Sequence, residues 1–219
     1  MTRVSTCCWK GPLGVIILAG ACGAHAPFAG AADTKSAAPA EAAACQACHG
    51  AHGEGMVEGV RPRIAGQLPH YLDKQLQDFA SGSRQSPIMG PIAKTLNAAA
   101  RSKVVAYYSS LPVPTALKSA APTAAQSFRG HELAAEGSEA RQVQACNNCH
   151  GPEGSGVAFS APALAGQLAP YLAAQLKSWQ QGTRRNDSGK LMASVAARLD
   201  DSDIAAVTAY FASLGASSH

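Results

Sequence analysis

Apolar side chains recur at intervals of three and four residues in three stretches of the chain, which is the spacing of one helix face. In the stretch 68–79 these positions are Leu68, Leu72, Leu76 and Phe79. The stretches 97–111 and 200–214 have the same spacing, and the latter opens with aspartate and serine residues that cap helices. No stretch alternates apolar and polar residues over the length of a strand. The pattern therefore predicts an all-α fold.

The helical pattern occurs twice because the sequence itself repeats. The stretch "IAGQLPHYLDKQL" at 64–76 returns as "LAGQLAPYLAAQL" at 164–176. Near the end of each half, "VVAYYSSL" at 104–111 returns as "VTAYFASL" at 207–214. A repeat of this length indicates a tandem duplication that gives two similar domains.

A segment rich in proline and small residues separates the two copies and is typical of an extended linker. We expect domains at residues 33–112 and 125–215, joined by a linker at 113–124. Only 5 % of the residues are aromatic, and much of the apolar content is alanine. Each domain can therefore bury only a small core of its own, and a buried cofactor would supply the missing stabilisation.

The first 32 residues are typical of a secretory signal peptide. Arg3 and Lys10 precede an apolar segment at 11–24, and small residues suited to cleavage follow. The apolar segment is short for a membrane span, which needs about 20 apolar residues. A retained anchor and lipidation at Cys22 are the alternatives. The sequence thus predicts export.

The charge of the chain gives little support for a polyanionic partner. The formal net charge is +4, and loss of the two basic residues of the signal peptide leaves +2 (4 − 2). There is no basic run and no basic helix face. Nucleic-acid binding is therefore not predicted.

Seven cysteines are present, and three of them fall in the predicted signal peptide. The other four form the hexapeptides "CQACHG" at 45–50 and "CNNCHG" at 146–151. A disulfide would suit an exported protein, and structural zinc would need two further ligands in each half. Histidine directly after C-x-x-C is instead the signature of c-type haem attachment, in which two thiols form thioethers with the haem vinyl groups and the imidazole binds iron. The sequence therefore predicts two covalently bound haems.

Methionine is the candidate for the second axial ligand of each iron. Met89 lies 40 residues after His49 (89 − 49), and Met192 lies 42 residues after His150 (192 − 150). Each follows the repeated helix at the same place in its half, and a thioether suits low-spin haem iron. Met56 has no counterpart in the other half, so we interpret it as a loop or core residue.

The other histidines of the expected mature chain are assigned no role. His52 and His70 could in principle bind iron, but neither has a counterpart in the second half. We expect His131 on a helix surface, and His219 is the last residue.

Two prolines, Pro62 and Pro162, stand four residues before the repeated Gly-Gln pair. A proline can stiffen its loop and offer a carbonyl oxygen. A ligating imidazole needs an acceptor for its second N–H, because that bond sets its tautomer and basicity. We therefore expect both prolines to lie beside the haem sites.

Taken together, the motifs C-x-x-C-H-G, P-x-[IL]-A-G-Q, Y-L-x-x-Q-L, a loop methionine and A-Y-[FY], each present twice, resemble the dihaem cytochrome c4 family. The resemblance covers nearly all of the expected mature chain. It implies two tandem class I cytochrome c domains, each wrapped around one covalently attached haem, with the haem propionates facing the domain interface. One departure is at the start of the first domain, where "KSAAPAEAAAC" lacks the glycine that usually meets the last helix.

The resemblance also assigns the site residues. It implies that Cys45, Cys48, His49 and Met89 hold the first haem, and that Cys146, Cys149, His150 and Met192 hold the second. It further implies that the carbonyls of Pro62 and Pro162 accept hydrogen bonds from the two ligand histidines.

The function implied by the resemblance is electron transfer and not enzyme catalysis. Such a protein is periplasmic, can associate peripherally with the membrane, and passes single electrons from a donor such as a bc1-type complex to a terminal oxidase or similar acceptor. Two alternatives stay open: the cytochrome subunit of a periplasmic dehydrogenase, and a dihaem peroxidase-like enzyme. The peroxidase would need one iron without a firm sixth ligand, whereas both halves keep a methionine.

Overall fold

The computed structural model describes residues 37–114, 121–159 and 161–215. The predicted signal peptide at 1–32 and the candidate lipidation site Cys22 lie outside these residues. Helices predominate in the described ranges, so the predicted all-α fold is confirmed. None of the helices in these ranges is long and apolar enough to cross a membrane.

Within residues 37–114, four helices follow a single 3-10 turn. The turn is Ala40–Ala42, and the helices are α1 (Ala43–His49), α2 (Pro69–Ser81), α3 (Met89–Lys94) and α4 (Ala98–Ser110). Proline at the first position of α2 has no amide hydrogen to leave unpaired, and Gly82 ends that helix at φ 84°. The side chain of Asn97 caps α4 by accepting a hydrogen bond from the amide of Ala100.

In the second half a full helix takes the place of the opening 3-10 turn, a short pair of strands follows, and the remaining helices come in the same order. Its elements are α5 (Ala124–Ala135), β1 (Gly137–Ser138), β2 (Val143–Gln144), α6 (Asn147–His150), α7 (Ala169–Gln180), α8 (Leu191–Ala196) and α9 (Asp201–Ser213), with 3-10 turns at Pro152–Gly154 and Ser188–Lys190. The strands pair antiparallel. The sequence analysis predicted no strand, because two residues are too few to show an alternating pattern.

The core of the second half forms where α5 crosses α9. Its buried apolar side chains are Leu133, Ala134, Val143, Leu199, Ile204, Val207 and Phe211. Gly130 lies at the crossing, and a Cβ atom there would be 2.5 Å from the carbonyl oxygen of Ala206. The missing side chain therefore lets the two backbones approach closely.

The first half begins differently, as the sequence departure indicated. Residues 37–39 are not helical, and the 3-10 turn starts directly after Pro39. Ala42 is fully buried in this turn, and the hydroxyl of Tyr108 donates to its carbonyl oxygen at 3.4 Å. A short turn against α4 thus takes the place of a long first helix, and the haem-binding motif that follows on α1 is unaffected.

Candidate haem sites

Both C-x-x-C-H motifs end their helix at the histidine. His49 is the last residue of α1, and His150 is the last residue of α6. Gly50 follows at φ 86° and Gly151 at φ 76°, in a region that side chains rarely adopt. The chain therefore leaves the helix immediately after each histidine, which explains why glycine follows both motifs.

The two histidine rings are held by equivalent hydrogen bonds. The Nδ1 atom of His49 lies 2.8 Å from the carbonyl oxygen of Pro62, and that of His150 lies 2.8 Å from the carbonyl oxygen of Pro162. A carbonyl oxygen can only accept, so each Nδ1 carries the proton and each Nε2 keeps a lone pair for a metal. Burial lowers the pKa of both imidazoles, which favours the neutral form that binds iron.

The first cysteine of each motif, Cys45 and Cys146, is partly buried and has the properties of a neutral thiol. Cys45, Cys48, Cys146 and Cys149 are not joined in disulfides. Burial raises the pKa of Cys45 and raises that of Cys146 to about 11, whereas a zinc ligand or redox nucleophile is a stabilised thiolate. The described parts of the chain contain no cluster of three or more His, Cys, Asp or Glu side chains that could hold a metal ion. The residues present therefore fit thioether attachment of haem better than a zinc site.

Both candidate methionines lie at the start of a short helix. Met89 is the first residue of α3, and its amide N–H donates to the Ser86 hydroxyl oxygen at 3.0 Å. Met192 is the second residue of α8. Ile88 and Leu191, the residues that precede them, are 58 % and 66 % exposed. The two halves thus present each methionine in the same setting. Ligation of iron by these methionines stays a prediction.

The methionine and histidines that were given no role in the sequence analysis lie in a loop, on a helix surface or at the boundary between the halves. Met56 forms an isolated bridge with Arg61 in the loop after α1, and His52 is exposed beside it. His70 stacks on Phe159 of the other half, with ring centroids 4.9 Å apart. His131 is exposed, and His219 lies outside the described residues.

Two arginines that the sequence analysis did not single out are buried where the halves meet. Arg84 donates from Nη1 to Gln75 Oε1 at 2.7 Å, and from Nη2 to Gln175 Oε1 at 2.7 Å and the Tyr171 hydroxyl at 3.0 Å. Its guanidinium also lies over the Phe79 ring, 4.6 Å from the centroid. One half therefore supplies the cation and both halves supply its acceptors.

Arg184 occupies the corresponding place in the second half. It donates to Gln175 Oε1 at 2.8 Å, to Gln75 Oε1 at 3.2 Å and to the Tyr71 hydroxyl at 3.4 Å. Its guanidinium lies 4.1 Å from the centroid of the Trp179 ring. The sequence repeat contained a signal for both arginines, since "GSR" after α2 matches "GTR" after α7.

These cations lack a carboxylate partner in the described residues. Arg84 and Arg184 are 7 % and 6 % exposed, and neither takes part in the ion pairs of the described chain. The Nε1–H group of Trp179, whose ring lies under Arg184, is buried without a hydrogen-bond partner in the described residues. A buried charge needs a compensating group, and the two propionates of a haem are carboxylates. The polar residues between the halves therefore also fit haem.

The comparisons with known proteins agree with this geometry. The family model "Cytochrome c" matches residues 35–112 and 134–215. Cytochrome c4 of Pseudomonas aeruginosa is 37 % identical over 189 residues, which cover 85 % of this chain and 92 % of that protein. The crystal structure of reduced recombinant cytochrome c4 from Pseudomonas stutzeri superposes with a TM-score of 0.73 at 33 % identity, over 80 % of this chain and 95 % of the other.

This chain is a dihaem cytochrome of the cytochrome c4 family. As a member of this family it carries two covalent haem c groups in two cytochrome c domains, and it transfers electrons. A further relative of this chain, from Stutzerimonas stutzeri strain A1501, is named "Thiosulfate dehydrogenase electron acceptor". It is 42 % identical over 182 residues, which cover 83 % of this chain and 84 % of that protein.

Proposed function

We propose that this protein is a periplasmic one-electron carrier that accepts electrons from a thiosulfate-oxidising dehydrogenase and passes them to a terminal oxidase or similar acceptor. The proposal includes the predicted export signal, and it allows peripheral association with the membrane. In this proposal the dehydrogenase oxidises thiosulfate, and this chain only receives the electrons.

The observation that carries the carrier assignment is the equivalence of the two halves. Each half orients a histidine through a 2.8 Å contact to a proline carbonyl and offers a methionine at the start of a short helix. Iron held by histidine and methionine has no open position for a substrate. A dihaem peroxidase would need one half to differ in this respect, so the equivalence favours a carrier.

The protein's own residues fix the conditions for electron exchange. The haem groups supply one-electron exchange between ferric and ferrous iron. The cysteines tether them, the proline carbonyls fix the histidine tautomers, and the buried Arg84 and Arg184 add positive charge between the halves, which favours the less positive ferrous state. No step requires a proton to be moved to a substrate.

Two arguments support the choice of donor. The relative named as a thiosulfate dehydrogenase electron acceptor matches more than four fifths of this chain at 42 % identity. A match over 182 residues of this 219-residue chain must include both haem motifs, so the similarity extends to both halves. This assignment is the dehydrogenase-linked alternative of the sequence analysis in a more specific form.

A second candidate donor is a bc1-type complex, with a terminal oxidase as acceptor. Similarity to cytochrome c4 of Pseudomonas aeruginosa over 92 % of that protein favours it. The two candidates differ in the donor and share the haem chemistry, so one experiment can separate them.

The experiment mixes the oxidised holoprotein with purified thiosulfate dehydrogenase and thiosulfate, and follows haem reduction by stopped-flow spectroscopy. We expect rapid reduction of both haems, and none when thiosulfate is left out. A parallel reaction uses a bc1-type complex with its quinol. Reduction by the bc1-type complex alone would overturn the thiosulfate assignment and support the second candidate.

A further inference from the structure

A hydrogen-bonded chain leads from His49 into the opposite half of the protein. The carbonyl of Pro62, which accepts from His49, and the amide N–H of Arg63 belong to the same peptide group. That N–H donates to Oε1 of Gln167 at 2.9 Å. Nε2 of Gln167 in turn donates to the carbonyl oxygen of Arg63 at 2.9 Å. The glutamine amide of the second half therefore pairs with the backbone that orients the histidine of the first half.

The second half shows the same arrangement with the roles exchanged. The carbonyl of Pro162 accepts from His150, and the N–H of the same peptide group, at Ala163, donates to Oε1 of Gln67 at 3.0 Å. Nε2 of Gln67 donates to the carbonyl oxygen of Ala163 at 3.0 Å. Each haem-binding histidine is thus connected through one peptide group to a glutamine of the other half.

Both hydrogen-bonded chains are buried, and the orientation of each glutamine amide is fixed by its neighbours. Gln67 and Gln167 are each 4 % exposed, so water does not compete for their hydrogen bonds. Each Oε1 atom also accepts from the amide of the next residue, Leu68 at 2.9 Å and Leu168 at 3.0 Å. An amide turned the other way would place its NH₂ group against these two N–H donors, which fixes Oε1 as the acceptor.

We propose that each glutamine tunes the reduction potential of the haem held by the opposite half, Gln167 through His49 and Gln67 through His150. A peptide group whose N–H donates a hydrogen bond becomes a better acceptor at its carbonyl oxygen. A better acceptor at Nδ1 makes the imidazole a stronger donor at Nε2, and a stronger donor stabilises ferric iron. The intact pairing therefore lowers each potential, and both glutamines act as positioning residues.

This inference rests on haem attachment at the two motifs and is independent of the electron donor. A protein that failed to react with thiosulfate dehydrogenase would still show the tuning. Conversely, loss of the tuning would leave the choice of donor untouched.

The test compares Gln167→Leu with Gln67→Leu in the holoprotein. Redox titrations are followed by proton NMR, so that the haem methyl signals of each domain report their own midpoint potential. We expect Gln167→Leu to raise the potential of the haem at His49 more than that of the haem at His150. Gln67→Leu should show the opposite preference. A mutation in one half would then change the reduction potential of the haem in the other half.

Two further variants separate tuning from a general loosening of the interface. Gln167→Glu keeps an oxygen acceptor for the Arg63 amide, so it should not raise the potential at His49. Phe159→Ala removes the contact with His70 between the halves without altering charge or either hydrogen-bonded chain, and it should leave the difference between the two potentials unchanged.

Amide hydrogen exchange at Arg63 provides a readout that does not depend on the haem potential. It should accelerate in Gln167→Leu and stay slow in Phe159→Ala. The proposal is overturned if each leucine variant changes mainly the reduction potential of the haem in its own half. It is also overturned if Gln167→Glu raises the potential at His49 as Gln167→Leu does. A leucine variant with accelerated exchange but unchanged potentials would overturn it as well.

Discussion

Nη2 of Arg84 donates a hydrogen bond to Oε1 of Gln175 at 2.7 Å, across the boundary between the two halves. Arg184 makes the corresponding bond to Gln75 at 3.2 Å. Each half therefore completes the hydrogen bonding of the other half's buried cation. The boundary between the domains is polar and specific, in contrast to the apolar crossing of α5 and α9.

Replacing Arg84 tests this boundary. Arg84→Leu leaves the Tyr171 hydroxyl without its donor, and we expect the free energy of unfolding to fall by about 1–3 kcal/mol. Removal of a buried positive charge should also lower the reduction potentials. Urea unfolding and redox titration measure the two effects. Arg185→Leu removes the same charge from an exposed position and should change stability by less than about 0.5 kcal/mol. Equal effects of the two variants would contradict the role given to Arg84.

The methionine assignments predict a change in the visible spectrum of the oxidised protein. Met89→Ala and Met192→Ala should each remove half of the weak long-wavelength band of methionine bound to ferric haem, and each should lower one reduction potential. Met56→Ala is the control and should leave the band unchanged. A full-strength band in either alanine variant would show that its methionine is not the ligand.

At the crossing of α5 and α9, replacing glycine by alanine should destabilise the protein, although the same change usually stabilises a helix. Glycine to alanine inside a helix usually stabilises by about 0.5–1 kcal/mol. At Gly130 the added Cβ would meet the carbonyl oxygen of Ala206, so Gly130→Ala should destabilise by roughly 1–3 kcal/mol. The urea midpoint of the holoprotein measures this effect, with His131→Ala as a control on the exposed face of α5. A stabilised Gly130→Ala protein would show that the helices can separate at little cost.

Acid stability should depend on Asp200, which caps α9. Hydrogen bonds from the Ser202 hydroxyl and the Asp203 amide, together with Arg141, lower the pKa of Asp200 to about 2. A carboxyl group with a lowered folded-state pKa stabilises the fold above its unfolded pKa of about 3.9, and this contribution is lost as the pH falls towards 2. Asp200→Asn should therefore be less stable than the parent protein at pH 6.

The pH dependence of that difference is the decisive measurement. Thermal unfolding at pH 6, 4, 3 and 2 should show the two proteins converging as the pH falls. Asp201→Asn serves as the control, because the Asp201 side chain is 89 % exposed and its effect should be small. A difference between Asp200→Asn and the parent that persisted unchanged to pH 2 would contradict the prediction.

Helical spacing was enough to locate the main helices, because each buries one apolar face against a neighbour. The stretch 68–79 was predicted and α2 extends over Pro69–Ser81, while α4 and α9 begin and end within one residue of their predicted stretches. The covalent haem motifs are local in sequence, so the cofactor could also be predicted. The domain limits at 112 and 125 stay predictions.

The contacts between the halves could not be predicted in the same way. Gln67 and Gln167 were visible as a repeated residue, but their backbone partners lie 96 and 104 residues away in the chain. Only the folded arrangement of the two halves brings these groups together. A glutamine repeated beside an apolar helix was the available signal, since a buried amide must find partners.

The reciprocal pairing of Gln67 and Gln167 is the pattern of an isologous, two-fold interface, in which each side offers the other the same groups. Two copies of one domain could dock in this way without a linker. Covalent fusion frees the copies to diverge, and Arg63 has Ala163 as its counterpart. The Arg63 guanidinium donates to the carbonyls of Ala165 at 2.9 Å and Gly166 at 3.3 Å, and the alanine side chain can make no equivalent bond in the other direction. Between identical domains an electron has no preferred direction, and a cation on one side of the axis removes that degeneracy.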